Sequence, residues 1–300
     1  MKRPRWTESL LTVPSFVWLV AFFAVPTLLV FAYSFKPAEL SGSVGEGWTL
    51  DTWRTLANPI YPAIIWRTIW LSIICTVVCL LLGVPVAYWI ARLPRLWRQR
   101  VLILIILPFW TNFLIRIFAW RTLLHPDGGL KNLLVFFGWA QPNDQLLYNN
   151  GAILLVLINT YLPFAILPLY AAAEKFDFSL LDAARDLGAT KWRAFRSIFL
   201  PGIRTGLLTA FLIVFIPALG SYAIPAIVGG PSSEMIGNKI AQRATTDRNL
   251  PEAAALGAVL TLVILVPLGI AAFLRRKDQR ETPAATDGPA VAAGPGGSHP

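Results

Sequence analysis

Charge is scarce in this sequence. Of 300 residues only 14% are Asp, Glu, Lys or Arg, while 56% are hydrophobic and the mean hydropathy is +0.60. Soluble domains carry about 25% charged residues, so a water-soluble globule does not fit. Cysteine is nearly absent: Cys75 and Cys79 are the only two. Four apart on one apolar helix, their Cβ atoms would sit about 5–6 Å apart, beyond comfortable disulfide reach. No neighbouring ligands complete a metal site, so they read as packing or lipid-facing residues. The two histidines, His125 and His299, belong to no H-E-x-x-H pattern, which disfavours a His-dependent intramembrane protease. No G-x-x-x-x-G-K-[ST] loop occurs, so this chain cannot cradle nucleotide phosphates in that manner. The reading is of a chain that is not an enzyme and holds no cofactor or metal. Acidic residues are missing from the middle of every long apolar run, and no inverted repeat is visible. Both absences weigh against an ion-coupled secondary transporter.

What remains is apolar length. A membrane-crossing helix needs about 20 mostly apolar residues, and six runs qualify: 11–35, 63–90, 101–124, 151–173, 203–228 and 253–274. The expected fold is all-α and polytopic, with six transmembrane helices. Residues 130–140 are apolar but too short to cross, and read as an interfacial helix. The basic residues at 1–5 followed by an apolar run resemble a signal peptide, but the run is long and lacks a small-residue cleavage site, so an uncleaved first span is expected. Net charge is +10, from 26 Lys and Arg against 16 Asp and Glu. That excess could mark a nucleic-acid binder or a membrane protein with basic loops. The location of the charges decides it: 17 of the 26 fall at the N-terminus, in 92–100, in 174–204 and after Leu274, alternating strictly with sparsely charged loops. By the positive-inside rule both termini and the second and fourth loops are cytoplasmic. Nucleic acid is not an expected partner; the lipid bilayer is. Residues 281–300, rich in Ala, Gly and Pro, read as a disordered tail. The chain divides into 1–62 (N-terminal segment, first span and external loop), 63–274 (a five-helix core) and 275–300 (a basic, then disordered tail).

The loop 174–203 is long for a six-span protein and carries its own helical pattern. Ser179-Leu180-Leu181-Asp182 reads as a capping box. Ala183, Ala184 and Leu187 continue a short helix that Gly188 ends, and Thr190 caps a second helix before Pro201. Two short surface helices with small side chains near their turn fit either a docking knob for a cytoplasmic partner or an amphipathic surface helix.

These residues also carry a family pattern. Asp182-Ala183-Ala184-x-x-x-Gly188, nine residues, then Ile198-x-Leu200-Pro201 resembles the EAA loop of ABC-importer permeases. Thr49-Leu50-Asp51-x-Trp53, Leu82-Gly83-Val84-Pro85-Val86-Ala87-Tyr88, Arg116-x-x-Ala119-Trp120-Arg121, Tyr161-Leu162-Pro163-Phe164 and Ile216-Pro217-Ala218-Leu219-Gly220 are similar to the spermidine/putrescine branch of that family. Together they cover about residues 10–275. Asp182 departs from the pattern, which usually has Glu. The resemblance implies a type I ABC-importer permease in a bacterial cytoplasmic (inner) membrane, with 174–201 as coupling loop. Asp182, Ala183, Ala184, Arg185, Gly188 and Arg193 would dock on a cytoplasmic ATPase subunit dimer, which would bind the ATP. It also implies a second permease, this chain again or a paralogue, and an extracytoplasmic substrate-binding protein. Polyamines are the implied cargo; another small organic cation, an amino-acid derivative or iron is the alternative.

Polar residues inside the apolar runs are pathway candidates: Asn112, Arg116, Asn159, Ser221 and Tyr222. On a continuous helix from Val101, Arg116 would lie about 22 Å along, where it could line a gate, snorkel outward, or pair with a partner subunit. Pro217 is a further pathway candidate: with Gly220, Ser221 and Pro225 it should kink or unwind the fifth run where the pathway would pass.

Overall fold

The computed structural model describes residues 5–39, 44–139, 141 and 143–281. Most of the basic N-terminal patch, and all of the expected disordered tail but Glu281, lie outside these residues. Among the described residues every element is helical apart from one isolated antiparallel bridge, Ala38 to Val44. In chain order the helices are α1 (Arg5–Tyr33), α2 (Asp51–Leu56), α3 (Ile60–Arg92), α4 (Arg95–Ile106), α5 (Phe113–Leu124), α6 (Gly129–Phe136), α7 (Asn150–Glu174), α8 (Ser179–Asp186), α9 (Lys191–Ala194), α10 (Leu200–Gly202), α11 (Arg204–Leu219), α12 (Ala223–Val228), α13 (Ile236–Ala241) and α14 (Leu250–Glu281). The chain forms two units, Met1–Leu260 and Thr261–Pro300. In the second, the described residues continue α14 to Glu281.

Three helical segments are long and apolar enough to cross a membrane unaided: Thr12–Tyr33, Ile60–Arg92 and Asn150–Glu174. Two bent pairs would raise the number to five, and α14 carries a shorter apolar stretch, Leu250–Val266. The six expected runs are therefore not six unbroken spans. The 101–124 run is the clearest departure. Pro108 sits in a tight 3₁₀ turn over Leu107–Trp110, and the Asn112 side chain then accepts from Leu114 N at 2.9 Å and starts a new helix. Arg95–Trp110 and Phe113–Phe136 meet at 87°. A window of mean hydropathy does not register that break, because Thr111 and Asn112 are outweighed by the apolar residues on both sides.

α3, α7 and α11 pack on one another as the core of the first unit. The buried face of α3 runs through Thr68, Leu71, Ser72, Cys75, Thr76, Cys79, Gly83 and Ala87. That is a repeat of three or four residues made largely of small side chains, which lets helix backbones approach in lipid, where apolar burial alone gives no drive. Both cysteines are free, wholly buried packing residues. The closest crossing is at Gly206 on α11, where a Cβ would fall 2.4 Å from the Ala172 Cβ and 3.0 Å from the Pro168 carbonyl oxygen on α7. α1 is the opposite case, for the apolar window of Thr12–Tyr33 has no buried residue. Its Phe16, Trp18, Leu19 and Phe22 are open to lipid or to another chain.

At the N-terminal end of α3, polar chemistry joins distant segments. The Tyr61 hydroxyl donates to the buried Glu252 carboxylate, and Arg243 donates to the Tyr61 oxygen at 2.7 Å. Arg243 also pairs with Asp247 at 2.7 Å and Glu252 at 3.2 Å, while Asn249 donates to Glu252 at 2.9 Å. About two turns along, Thr68 accepts from Ile236 N at 2.9 Å and Arg67 donates to the Glu234 carbonyl at 3.2 Å.

Candidate functional site

The loop after α7 folds as two short helices around one sharp turn. Two residues before α8, the Asp177 carboxylate accepts from Ser179 N at 3.0 Å. Ser179 is thus not the cap, and the expected capping box is replaced by a cap two residues earlier. Both are cap-forming types, and the sequence alone gave no means to choose between them. The Ser179 hydroxyl and backbone N–H hold the Asp177 carboxyl below its usual range. Asp182, relieved of the expected reach-back, faces Arg185 at 3.5 Å. Both are exposed, so the pair adds little stability.

α8 ends in a Schellman turn. Gly188 N donates to the Arg185 carbonyl at 2.9 Å and Ala189 N to the Ala184 carbonyl at 3.0 Å, with Gly188 at φ +87°. This conformation favours glycine. Nothing lies within 4 Å of where a Gly188 Cβ would be, and Leu187 beside it is 90% exposed. Thr190 then caps α9, accepting from Arg193 N at 3.3 Å, and Trp192 stands 67% exposed. Asp182, Ala183, Arg185, Gly188 and Arg193 share this exposed surface, whereas Ala184 turns inward onto the core.

Sequence reasoning missed what fastens this knob to the bundle. Tyr88 on α3 stands edge-on to Phe199, Phe195 and Phe178, at centroid distances of 4.9, 5.4 and 5.8 Å. Phe176 closes the group against Phe178 and Phe199 at 5.4 and 5.2 Å. A Cβ on Gly202 would fall 2.5 Å from the Phe176 ring, so the ring lies directly on the backbone at the corner. There Lys191–Gly202 and Arg204–Leu219 meet at 70°. The available signal was four phenylalanines bracketing the two helices. Polar contacts add to the anchor: Arg98 pairs with Glu174 at 2.7 Å and caps α3 through the Ala91 carbonyl at 3.0 Å.

The pathway candidates gather around the two helix breaks. Asn112 is the cap of α5. Arg116 folds back to donate to the Pro108 carbonyl at 2.9 Å and lies 4.9 Å over the Phe109 ring, so it holds the first break rather than projecting from a straight helix. Its Nε is buried without a hydrogen-bond partner. Phe109 meets Phe164 edge-on at 4.9 Å, and Tyr161 on the same helix donates to the Pro217 carbonyl at 3.1 Å. Asn159 accepts from Trp120 Nε1 at 3.0 Å. The break expected in the fifth run is present: α11 stops at Leu219, and α12 starts at Ala223 after Gly220, Ser221 and Tyr222. Ser221 is buried there, while Tyr222 and Trp110 are exposed. The arrangement combines unwound backbone with aromatic faces, and among the described residues 107–122 and 217–225 there is no Asp or Glu.

A family model described as "Binding-protein-dependent transport system inner membrane component" matches residues 83–279. The chain is 36% identical over 249 residues to the "Spermidine/putrescine transport system permease protein PotB" of Haemophilus influenzae, covering 83% of this chain and 87% of that one. It is 35% identical over 247 residues to the protein of the same name from Escherichia coli K12, covering 82% and 90%. Its fold is similar to a chain in the crystal structure of a bacterial alginate ABC transporter in complex with alginate pentasaccharide-bound periplasmic protein. There the TM-score is 0.68 at 19% identity, over 92% of this chain and 96% of that one. This last likeness concerns fold only.

Proposed function

The chain belongs to the family of binding-protein-dependent transport inner membrane components, and on that premise we propose that it passes spermidine and putrescine through a bacterial cytoplasmic membrane. It is a multi-pass permease subunit, not an enzyme. ATP would be hydrolysed by a separate subunit pair docked on the α8–α9 knob. Closure of that pair would press on Leu187, Gly188 and Trp192. The ring cluster of Tyr88, Phe176, Phe178, Phe195 and Phe199 would carry the movement into α3 and α11. A second permease, identical or paralogous, would complete the pathway, and an extracytoplasmic binding protein would deliver and select the cargo. The observation that carries this reading is the knob itself, a capped turn with an almost fully exposed leucine anchored by rings to the core. The substrate assignment draws on the relatives' names. Within the described breaks a polyamine would meet aromatic faces, Phe109, Trp110, Tyr161 and Phe164, which attract cations.

The test is ATP-dependent uptake of labelled spermidine and putrescine into vesicles containing the chain with its genetically neighbouring ATPase, permease and binding protein. Uptake lost on omitting this chain supports the proposal. Uptake of a different organic cation, an amino-acid derivative or iron, with neither polyamine moved, would overturn the substrate and leave the permease assignment standing.

A further inference from the structure

A cavity of about 970 Å³ opens between the C-terminal half of α3 and the α8–α9 pair, and its apolar wall lies behind the surface assigned to docking. Its walls are apolar: Leu80, Leu81 and Val84 on α3, Phe195 before α10, and Leu200 and Leu207 beside it. Its rim is cationic. Arg92 ends α3, with Arg185 and Lys191 on the surface helices, and Asp182 is the one carboxylate among the lining residues. Among the described residues Arg92 and Lys191 make no ion pair. Arg92 is held only by ring faces, 5.1 Å over Tyr88 and 5.3 Å over Phe178.

We propose that this cavity binds an anionic phospholipid of the leaflet that the charge distribution makes cytoplasmic. Depth and charge together point there. From Arg92 to Leu80 is twelve residues of helix, about 18 Å, and half of a typical hydrocarbon core is about 15 Å. The apolar wall thus matches one leaflet, with the cations at headgroup level and Trp192 beside them. Basic pockets at the cytoplasmic ends of membrane helices suit such headgroups. A polyamine is repelled by this rim, and a soluble ATPase reaches the rim but not the wall. The inference rests on the membrane-spanning fold and not on the cargo. A lipid seated there touches both α3 and the knob, so the occupied cavity stiffens the joint through which docking acts.

The experiment titrates the full chain, in mild detergent, with phosphatidylglycerol and separately with phosphatidylcholine of the same acyl chains, and counts bound lipid by native mass spectrometry. One phosphatidylglycerol is expected to be retained in preference to phosphatidylcholine. A double variant, Arg92→Gln with Lys191→Gln, should weaken phosphatidylglycerol about tenfold and leave phosphatidylcholine unchanged. Leu81→Trp, at an exposed lining position, should weaken both lipids without disturbing the rim. Lys191→Gln alone, on an exposed side chain, should give a smaller loss in the same direction. Equal retention of the two lipids, or retention indifferent to all these variants, would overturn the proposal. So would displacement by inorganic phosphate alone, which would mark a free-anion site. Cross-links placing a segment of the second permease against Leu81 in the assembled transporter would also overturn it.

Discussion

The two ends of α3 are joined to the rest of the bundle by different chemistry. At the N-terminal end Tyr61, Arg243, Asp247, Asn249 and Glu252 form one hydrogen-bonded network in which each group needs the others in place. At the C-terminal end Tyr88, Phe176, Phe178, Phe195 and Phe199 meet ring to ring. The network is centred on the buried Tyr61 and Glu252, and removing the Glu252 carboxylate leaves the Tyr61 hydroxyl without its acceptor. Ring contacts are apolar and prefer edge-on or offset geometry, which the contacts of Tyr88 show. The polar fastening therefore lies away from the knob, and the ring-packed one lies under it.

The largest predicted effect is at the polar end. Glu252→Ala should cost about 2–3 kcal/mol, because Tyr61 and Asn249 lose a buried acceptor while Arg243 keeps Asp247; thermal unfolding in detergent measures it. A neutral result would mean that water replaces the lost carboxylate and that the contrast between the ends is false. Next is the bundle itself: Gly206→Ala puts a methyl group into α7 and should cost about 1–3 kcal/mol, read by the same melt. At the ring end Phe199→Leu, similar in volume, should cost only about 1 kcal/mol with uptake kept. A loss as large as that at Glu252 would show that the rings are as directional as the network. Gly188→Ala should cost roughly 1 kcal/mol by left-handed strain alone, since its Cβ meets nothing within 4 Å. The smallest effect is acid fraying of α8. The Asp177 carboxyl is held below its ordinary range by Ser179, so its cap is intact above about pH 4 and is lost as pH falls through the lowered value. Faster amide exchange at Ser179 in acid, absent in Asp177→Asn, checks this.

Legibility in the sequence followed the range of the interactions. Gly188 and Thr190 announce a turn and a cap through local backbone chemistry, and both do what their residue types dictate. Asp177, two residues before the first residue of α8, offers the same capping chemistry as Ser179, so residue type does not separate the two. The break at Leu107–Asn112 was written in Pro108 and Asn112, but hydropathy treats that stretch as one run. The Tyr61–Glu252 bond joins residues 191 apart. Nothing local distinguishes either one, so only folding reveals the pair. The ring cluster falls between these cases: its phenylalanines bracket the knob in sequence, while Tyr88 reaches them from another helix.

The central claim is that a partner's movement enters this chain at the α8–α9 turn. Leu187→Glu tests it most directly, because a side chain 90% exposed can change without disturbing the fold. In vesicles with the ATPase, second permease and binding protein, the variant is predicted to keep the parent's melting temperature and lose both polyamine uptake and the coupled ATP hydrolysis. Uptake and coupled hydrolysis at the parent's rate would contradict the account.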